Sequence, residues 1–496
     1  ETAEEGEGKP TEAEVTEETS RPATEEEVAK AQEQVESALA KKIREMLGME
    51  IGTVTIDGTT YSKAIIQPTF NLGKLKLALY LPIIYSTDMF DPDDWYKPGG
   101  NDEWSFGTDQ EEPVDIAADI MADLFLKIRY VKWGEQFDPF YLKAGNLNDM
   151  SIGHGILMYN YANDADFPSV RKVGLNMGIQ SESFGFEAVV NDLAEPDIIG
   201  GRMRFGRRLG FAVSGVTDLN PAKELSDEKY GDPIFINGAV DIDFPIIQKS
   251  FILFADVGAM MPYYRETYSS LEPGLYYQAV YNDEIDLSFD SFRNYGAAAG
   301  GFGRILGIDW RLEWRYYNGT FRPAFYNTGY DRLRGELVKK IAEELTTETD
   351  PTYTMGVYGR GAFTVKKLFS FDLSYFWPWT FSDDGGIDPA DEDELSFRFV
   401  LFPDAIPVLK IHGSLSYTRV KFIPTLLQEG TGSGMSLFDG NTVVKGEIIY
   451  PVAPTLDLAA IITTAAKRNS DGTTKLDSNG SPEVYPSLSI ETRLHF

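Results

Sequence analysis

The sequence contains no cysteine. That excludes disulfides, thiolate metal sites, a thiol nucleophile and a lipid-modified cysteine. A basic excess is missing too: 77 Asp and Glu stand against 45 Lys and Arg, a formal net charge of -32. Nucleic acid is therefore an unsuitable partner, because no cationic surplus exists to displace counterions from phosphates. Long apolar runs are absent as well. The best candidate, "FILFADVGAMM", is broken by Asp256 and falls short of the roughly 18 residues that a spanning helix needs. There are 3 histidines, His154, His412 and His495. His412 and Ser414 share a strand face, but no orienting group accompanies them. The motifs G-x-S-x-G and H-E-x-x-H and a phosphate loop do not occur. Acidic stretches such as "FDPDDW" (90–95), "SDDGGIDPADEDE" (382–394) and "NSDGTTKLDSNG" (469–480) lack calcium-loop spacing. The expectation is a protein that is not an enzyme, with no cofactor and no metal site.

Aromatic residues are plentiful, with 31 Phe and 26 Tyr, which suits strands. The organisation changes near residue 50. Residues 1–23 are acidic, and Val15 is their one large apolar side chain. Such a segment cannot bury enough surface to fold. Over 24–48, Thr24 and Glu27 form a capping box. Val28, Val35, Leu39, Ile43 and Leu47 follow at helical spacing. The expected organisation is an acidic disordered tail (1–23), an amphipathic helix (24–48) and an all-β domain (49–496).

From there the apolar period becomes two. In "KLKLALYLPI", Leu75, Leu77, Leu79, Leu81 and Ile83 alternate with Lys74, Lys76, Ala78, Tyr80 and Pro82. In "DWRLEWRYY", Trp310, Leu312, Trp314 and Tyr316 alternate with Asp309, Arg311, Glu313 and Arg315. Each strand thus has one oily and one charged face. Most such segments run about 9–11 residues or more, the length that spans a bilayer when tilted, against about 5–6 for soluble strands. Short and long connections also alternate. "NLGK" (71–74), "SES" (181–183), "QKS" (248–250) and "PVAP" (451–454) are short, while 86–120, 147–171, 261–295 and 318–351 are long. A soluble sandwich has no reason to sort its loops, whereas a transmembrane barrel does so by side.

The chain ends on "SLSIETRLHF". Leu488, Ile490, Leu494 and Phe496 share one face, with Thr492 among them. This resembles the C-terminal strand of bacterial outer-membrane β-barrels, a porin-like class, over roughly residues 50–496. The resemblance implies an assembly signal at those four residues, read by the barrel-assembly machinery, and closure of the last strand against the first. It also implies outer-membrane lipid around the barrel and a Gram-negative location with both termini periplasmic. Residues 1–48 are then placed to meet a periplasmic partner. The expected fold is a large closed antiparallel transmembrane barrel of about 20 strands, with 18 as the alternative. "EIGTVTI" supplies the first strand before the turn "DGTT".

A barrel so wide has an aqueous interior unless loops fill it. Lys127, Arg129, Lys143, Lys172, Arg202 and Arg204 are expected on its lumen wall, a basic stretch beside lipid-facing Leu126, Ile128, Leu142, Met203 and Phe205. Arg311, Glu313, Arg315 and Arg360 extend the lining with mixed signs. Two readings of this wall stand: a charged path for solutes, or charges that pair with one another. The connection 147–171 is oily at Ile156, Leu157, Met158, Tyr159 and Tyr161. It either folds inward or extends the wall. "VDIAADIMADLF" (114–125) and "DRLRGELVKKIAEELTTE" (331–348) carry helical spacing. The function expected first is passive diffusion of small hydrophilic solutes or ions. The competing expectation is a structural or interaction barrel whose lumen is occluded by loops.

Overall fold

The structure is a computed structural model that describes residues 47–56, 58–97, 102–134, 138–167, 170–223, 225, 230–247, 250–278, 291–347, 351–381, 386–390, 392–427, 439–467, 469, 474–477 and 482–495. The acidic tail, the expected helix up to residue 46 and Phe496 lie outside these residues.

The first strand, β1 (Leu47–Ile56), begins three residues before the expected "EIGTVTI". Leu47 and Gly48 were assigned to the end of the helix over 24–48. They are strand because partners exist on the ladder: Leu47 stands opposite Pro68, and Gly48 is flanked by Gln67 and His495. Pairing of the backbone outweighs the helical spacing of one leucine.

The chain continues through β2 (Thr59–Leu72), β3 (Leu75–Leu79), β4 (Leu81–Tyr85), α1 (Pro113–Leu126), β5 (Ile128–Trp133), β6 (Phe140–Gly145), β7 (Gly174–Gln180) and β8 (Phe184–Val190). Then come β9 (Ile198–Phe205), β10 (Gly210–Asp218), β11 (Pro233–Ile247), β12 (Phe251–Tyr264), β13 (Gly274–Leu275), β14 (Tyr295–Ile305) and β15 (Ile308–Asn318). The last part holds α2 (Tyr330–Thr346), β16 (Tyr353–Val365), β17 (Phe369–Phe381), β18 (Ile387–Pro389), β19 (Glu394–Leu401), β20 (His412–Val420), α3 (Phe422–Leu427), β21 (Thr442–Ala453), β22 (Leu456–Ala466) and β23 (Val484–His495). β3 and β4 are halves of one stave, interrupted at Tyr80, and β13 and β18 are short additions beside β12 and β17. Each stave pairs antiparallel with the next, and β23 returns to β1, giving a closed barrel of 20 strands. Closure leaves no unpaired sheet edge.

The links sort by end. Those at 86–127, 146–173, 219–232, 265–294, 319–352, 421–441 and 467–483 share one end, called here the long-loop end. Those at 73–74, 181–183, 248–250, 306–307, 366–368 and 454–455 share the other, where Leu47 and His495 also lie.

The outward face is apolar and exposed. Leu312 is 56% exposed, Trp377 58%, Ile448 62%, and Leu488 and Ile490 50% each. That is a surface made for lipid rather than water. Aromatic rings gather toward both ends of this band. Phe251 stacks on Trp310 near one, with Phe363, Phe369 and Phe399 close by; Trp314, Tyr316 and Tyr353 stack in a row toward the other. Trp310 and Tyr316 sit on one strand, about 20 Å apart along it at ~3.3 Å per residue.

Two glycines let strands close up on the inner face. A Cβ on Gly52 of β1 would come within 2.6 Å of the Glu491 Cα on β23, and one on Gly300 of β14 within 2.6 Å of the Glu313 Cα on β15. "GAAAGGFG" (296–303) lies within β14, and its small residues make room for lumen charges.

Candidate functional site in the lumen

Lumen side chains follow the inward alternation of each stave. Arg202 on β9 donates two hydrogen bonds to Asp241 on β11, at 3.0 and 2.7 Å, and reaches Glu187 on β8 at 3.3 Å. Arg204 pairs with Asp243 at 3.1 Å. On β15, Arg311 and Arg315 flank Glu313 at 2.7 and 2.6 Å. Arg360 on β16 meets Asp372 on β17 at 3.0 Å. Lys143 on β6 pairs with Asp149 at 3.2 Å, and both are partly exposed.

Lys127 lies off the strands. It follows α1, donates to the Glu103 carbonyl at 2.5 Å and stands over the Trp104 ring at 4.0 Å. Leu126 is buried at the end of the same helix, not turned to lipid. The helix runs on through the segment read from sequence as the start of a strand, and β5 opens only at Ile128. Lys172 stands just before β7 and donates to Asp331 on α2 at 2.5 Å. Arg129 is exposed on β5. The structure thus distributes five of the six cations among a helix cap, loop contacts and paired strand positions, and leaves Arg129 exposed. Across the intervening β10, Asp241 and Asp243 on β11 meet Arg202 and Arg204 on β9, so these charges neutralise each other locally.

The oily connection folds inward. Leu147, Met150, Ile152, Ile156, Leu157, Met158 and Tyr161 form one buried core with wall residues Val216, Phe235, Met260 and Tyr358. The link 319–352 joins it through Phe321, Phe325 and Tyr326, and α2 through Tyr330, Val338, Ile341 and Leu345. Burying each such side chain contributes about 1.5–3 kcal/mol. α2 belongs inside because its apolar positions recur at Val338, Ile341, Ala342 and Leu345, all buried.

Polar contacts tie this insert to two separate parts of the ring, five to eight staves apart. At one side His154 Nδ1 lies 2.8 Å from Asp256 on β12, and Arg311 on β15 donates to the His154 carbonyl at 2.5 Å. At the other, Arg332 of α2 donates to the carbonyls of Thr442 on β21 and Thr464 on β22 at 2.5 and 2.6 Å. It also holds Ala165 O at 2.9 Å and Asp166 at 3.0 Å within the inward loop. Tyr161 donates to Asp331 at 2.7 Å, and Tyr330 to Asp218 on β10 at 2.7 Å.

His154, Asp241 and Asp243 bring possible ligand atoms within 4.8 Å of one another. Arg202 and Arg204 already occupy both carboxylates, so a cation would have to displace guanidinium groups. Sequence reasoning did not single out His154. The available signal was "GHG": Gly153 and Gly155 both take positive φ, 56° and 94°, and turn the tip.

A cavity of about 270 Å³ opens among the links at the long-loop end. Glu103, Arg171, Asp192, Lys223, Asp331 and Arg332 are among its lining residues. Burial pushes the Asp192 carboxyl up to about 6, although Ala194 and Val173 backbone N–H groups and two lysines oppose the shift. Burial acts the same way on Asp331, but Lys172 and Arg334 outweigh it and hold that carboxyl below its usual range.

Closed strand ladder, apolar belt and charged, loop-filled interior define a transmembrane β-barrel. Solved structures similar to the chain include Wzi of Escherichia coli, described as a carbohydrate-binding outer-membrane β-barrel involved in capsule assembly (9% identity, 96% of this chain and 90% of that chain, TM-score 0.32). OccK11 of Pseudomonas aeruginosa is another (10% identity, 90% and 94%, TM-score 0.31), as is the FrpB iron transporter of Neisseria meningitidis (8%, 93% and 83%, TM-score 0.34). No protein-family model matches the chain, and no curated protein does. At such scores the fold assignment rests on the closed ladder itself.

Proposed function

We propose that this chain is an outer-membrane barrel whose resting lumen is closed to free diffusion by its own loops, with the long-loop end facing outward. The observation that carries the reading is the cross-lumen insert. It is packed around an apolar core and bonded to β12 and β15 on one side and to β21 and β22 on the other. A loop that merely narrowed a pore would need attachment to one wall only. This supports the occluded interaction barrel over the general diffusion pore. The sorting of the loops and the shared end of Leu47 and His495 support both termini pointing to the periplasm.

Reconstitution of the full chain in planar bilayers tests this. The expected result is little or no steady conductance. Large ohmic steps of a wide pore, in every inserted molecule, would overturn it and favour passive diffusion. Exposed Arg129 and Arg398 would then be the lumen cations to mutate first.

A further inference from the structure

The cavity at the long-loop end is assembled from six separate links. Glu103 comes from 86–127; Arg171 and Lys172 from 146–173; Asp192 from 191–197; Lys223 from 219–232; Asp331, Arg332 and Arg334 from 319–352; Thr474 and Pro482 from 467–483. Its cations are already matched. Arg171 bonds Glu103, Lys172 meets Asp331 at 2.5 Å, and Lys223 meets Glu195 at 2.6 Å and Asp197 at 3.3 Å. Arg332 meets Asp166 at 3.0 Å. One acceptor on the wall is left over toward the space. Asp192 is 6% exposed; its Oδ1 accepts from Val173 N at 3.2 Å and Ala194 N at 3.1 Å, while its Oδ2 has no partner among the described residues.

An occupant must therefore bring a donor to the Asp192 carboxylate without upsetting a set of paired charges. A simple anion meets Asp192 beside Glu195 and Asp197 and is repelled. A simple cation must enter beside Arg171, Lys172 and Lys223. A hydroxyl adds no charge, donates to a carboxylate oxygen and accepts from a neighbouring guanidinium or ammonium. The wall also offers small apolar surface at Ala122, Leu126, Val170 and Ala194, which suits carbon–hydrogen faces. The volume equals roughly nine waters at ~30 Å³ each, enough for one hexose.

We infer that this cavity is a binding site for a neutral polyhydroxylated solute, a sugar of about hexose size. Asp192 accepts its hydroxyl donors, and Arg171 and Lys223 donate to its oxygens. The site depends on the outer-barrel reading only for the side from which the sugar arrives, and its test needs no membrane potential.

Isothermal calorimetry on the detergent-solubilised full chain provides that test, with glucose, galactose and maltose as probes. Glycine, putrescine and inorganic phosphate are the charged comparators. The expected result is saturable binding of at least one sugar below roughly 10 mM. Asp192→Asn, which keeps the shape, should weaken it about tenfold, as expected for a lost hydrogen bond to a charged acceptor. Ala194→Trp, which fills the cavity, should abolish it. Both variants should keep the heat-modifiable migration of a folded barrel. Binding of putrescine, glycine or phosphate in place of every sugar would overturn the ligand class. Sugar binding unchanged in folded Ala194→Trp would overturn the location. No heat with any probe would overturn the site, while bilayer conductance separately decides whether the lumen is closed.

Discussion

Glu491 on β23 has a side chain 0% exposed, and Lys63 from β2 bonds it across the intervening β1. Arg493 reaches Glu491 at 2.5 Å and Glu50 at 3.6 Å, and also bonds Glu447 on β21. One ionic cluster thus spans the seam where the ends of the sheet meet. Buried pairs of this kind contribute little net stability when intact, but losing one partner leaves an uncompensated charge. Arg202 offers a clean measure of this. Arg202→Ala strands Asp241, which is 4% exposed, and should cost about 3–5 kcal/mol. Adding Asp241→Asn should recover most of it, since the orphaned charge is gone. Guanidinium unfolding of the parent, single and double variants checks the expectation; equal losses in single and double would refute it.

Asp192 gives a pH signature at the same scale. Its folded pKa is raised to about 6 from 3.8. A raised acid favours the protonated native state, so stability is fullest below about pH 4 and falls as pH climbs through about 6. Asp192→Asn removes that fall. The gap in thermal midpoint between variant and parent should widen from about pH 4 to about pH 6 and then level off. A gap that is flat with pH would show that burial does not penalise this carboxylate.

Among the elements, the inward loop and α2 behave as one insert. Their polar contacts link residues far apart in the chain, as in Lys172 with Asp331, Lys445 with Asp164 and His154 with Asp256. Arg332→Ala removes the bonds to β21 and β22 and leaves the apolar core in place. The expected outcome in bilayers is flickering conductance steps absent from the parent. A silent variant would mean that the apolar core alone holds the insert shut. The strands were readable in sequence because lipid and water impose a two-residue period locally, as in "DWRLEWRYY". The insert was only half readable. Its oiliness at Ile156 to Tyr161 marked a segment out of place in water, but both a folded-in loop and a taller wall satisfy that pattern. What decides between them is the match to Tyr326, Tyr330 and Phe235, which no local period records. The same limit applied to Lys127 and Lys172: their charge was visible, but the helix cap and Asp331 that hold them were not.

The whole barrel depends on its outward face. Leu488 and Ile490 stand opposite Ile462 and Ala460 on one side, and Ile490 opposite Thr53 on the other. Replacing both by Asp puts two charges against lipid, at about 2 kcal/mol or less each given the smaller penalty for acidic side chains. The cost falls on the strand that closes the ring. Membrane insertion should fail, read as loss of the heat-modifiable form. Normal insertion of this double variant would contradict a lipid-facing β23. The equivalent change at Ser487 and Ser489, which face inward and bond Thr55 O and Thr53 O, should instead weaken the seam without exposing charge to lipid.

The insert is leashed at both ends. Residues 146–173 leave β6 and re-enter at β7, and 319–352 leave β15 and re-enter at β16, in each case at the long-loop rim. A separate stopper at one terminus could be drawn out through the opposite mouth by a pull on the chain. This one cannot, because tension on the chain ends acts at the far rim and reaches the insert only through the strand ladder. The connectivity gives the insert one direction of release: the two leashes descend from, and return over, the long-loop rim. That rim is also where Asp331 and Arg332 serve both as anchors of the insert and as walls of the cavity.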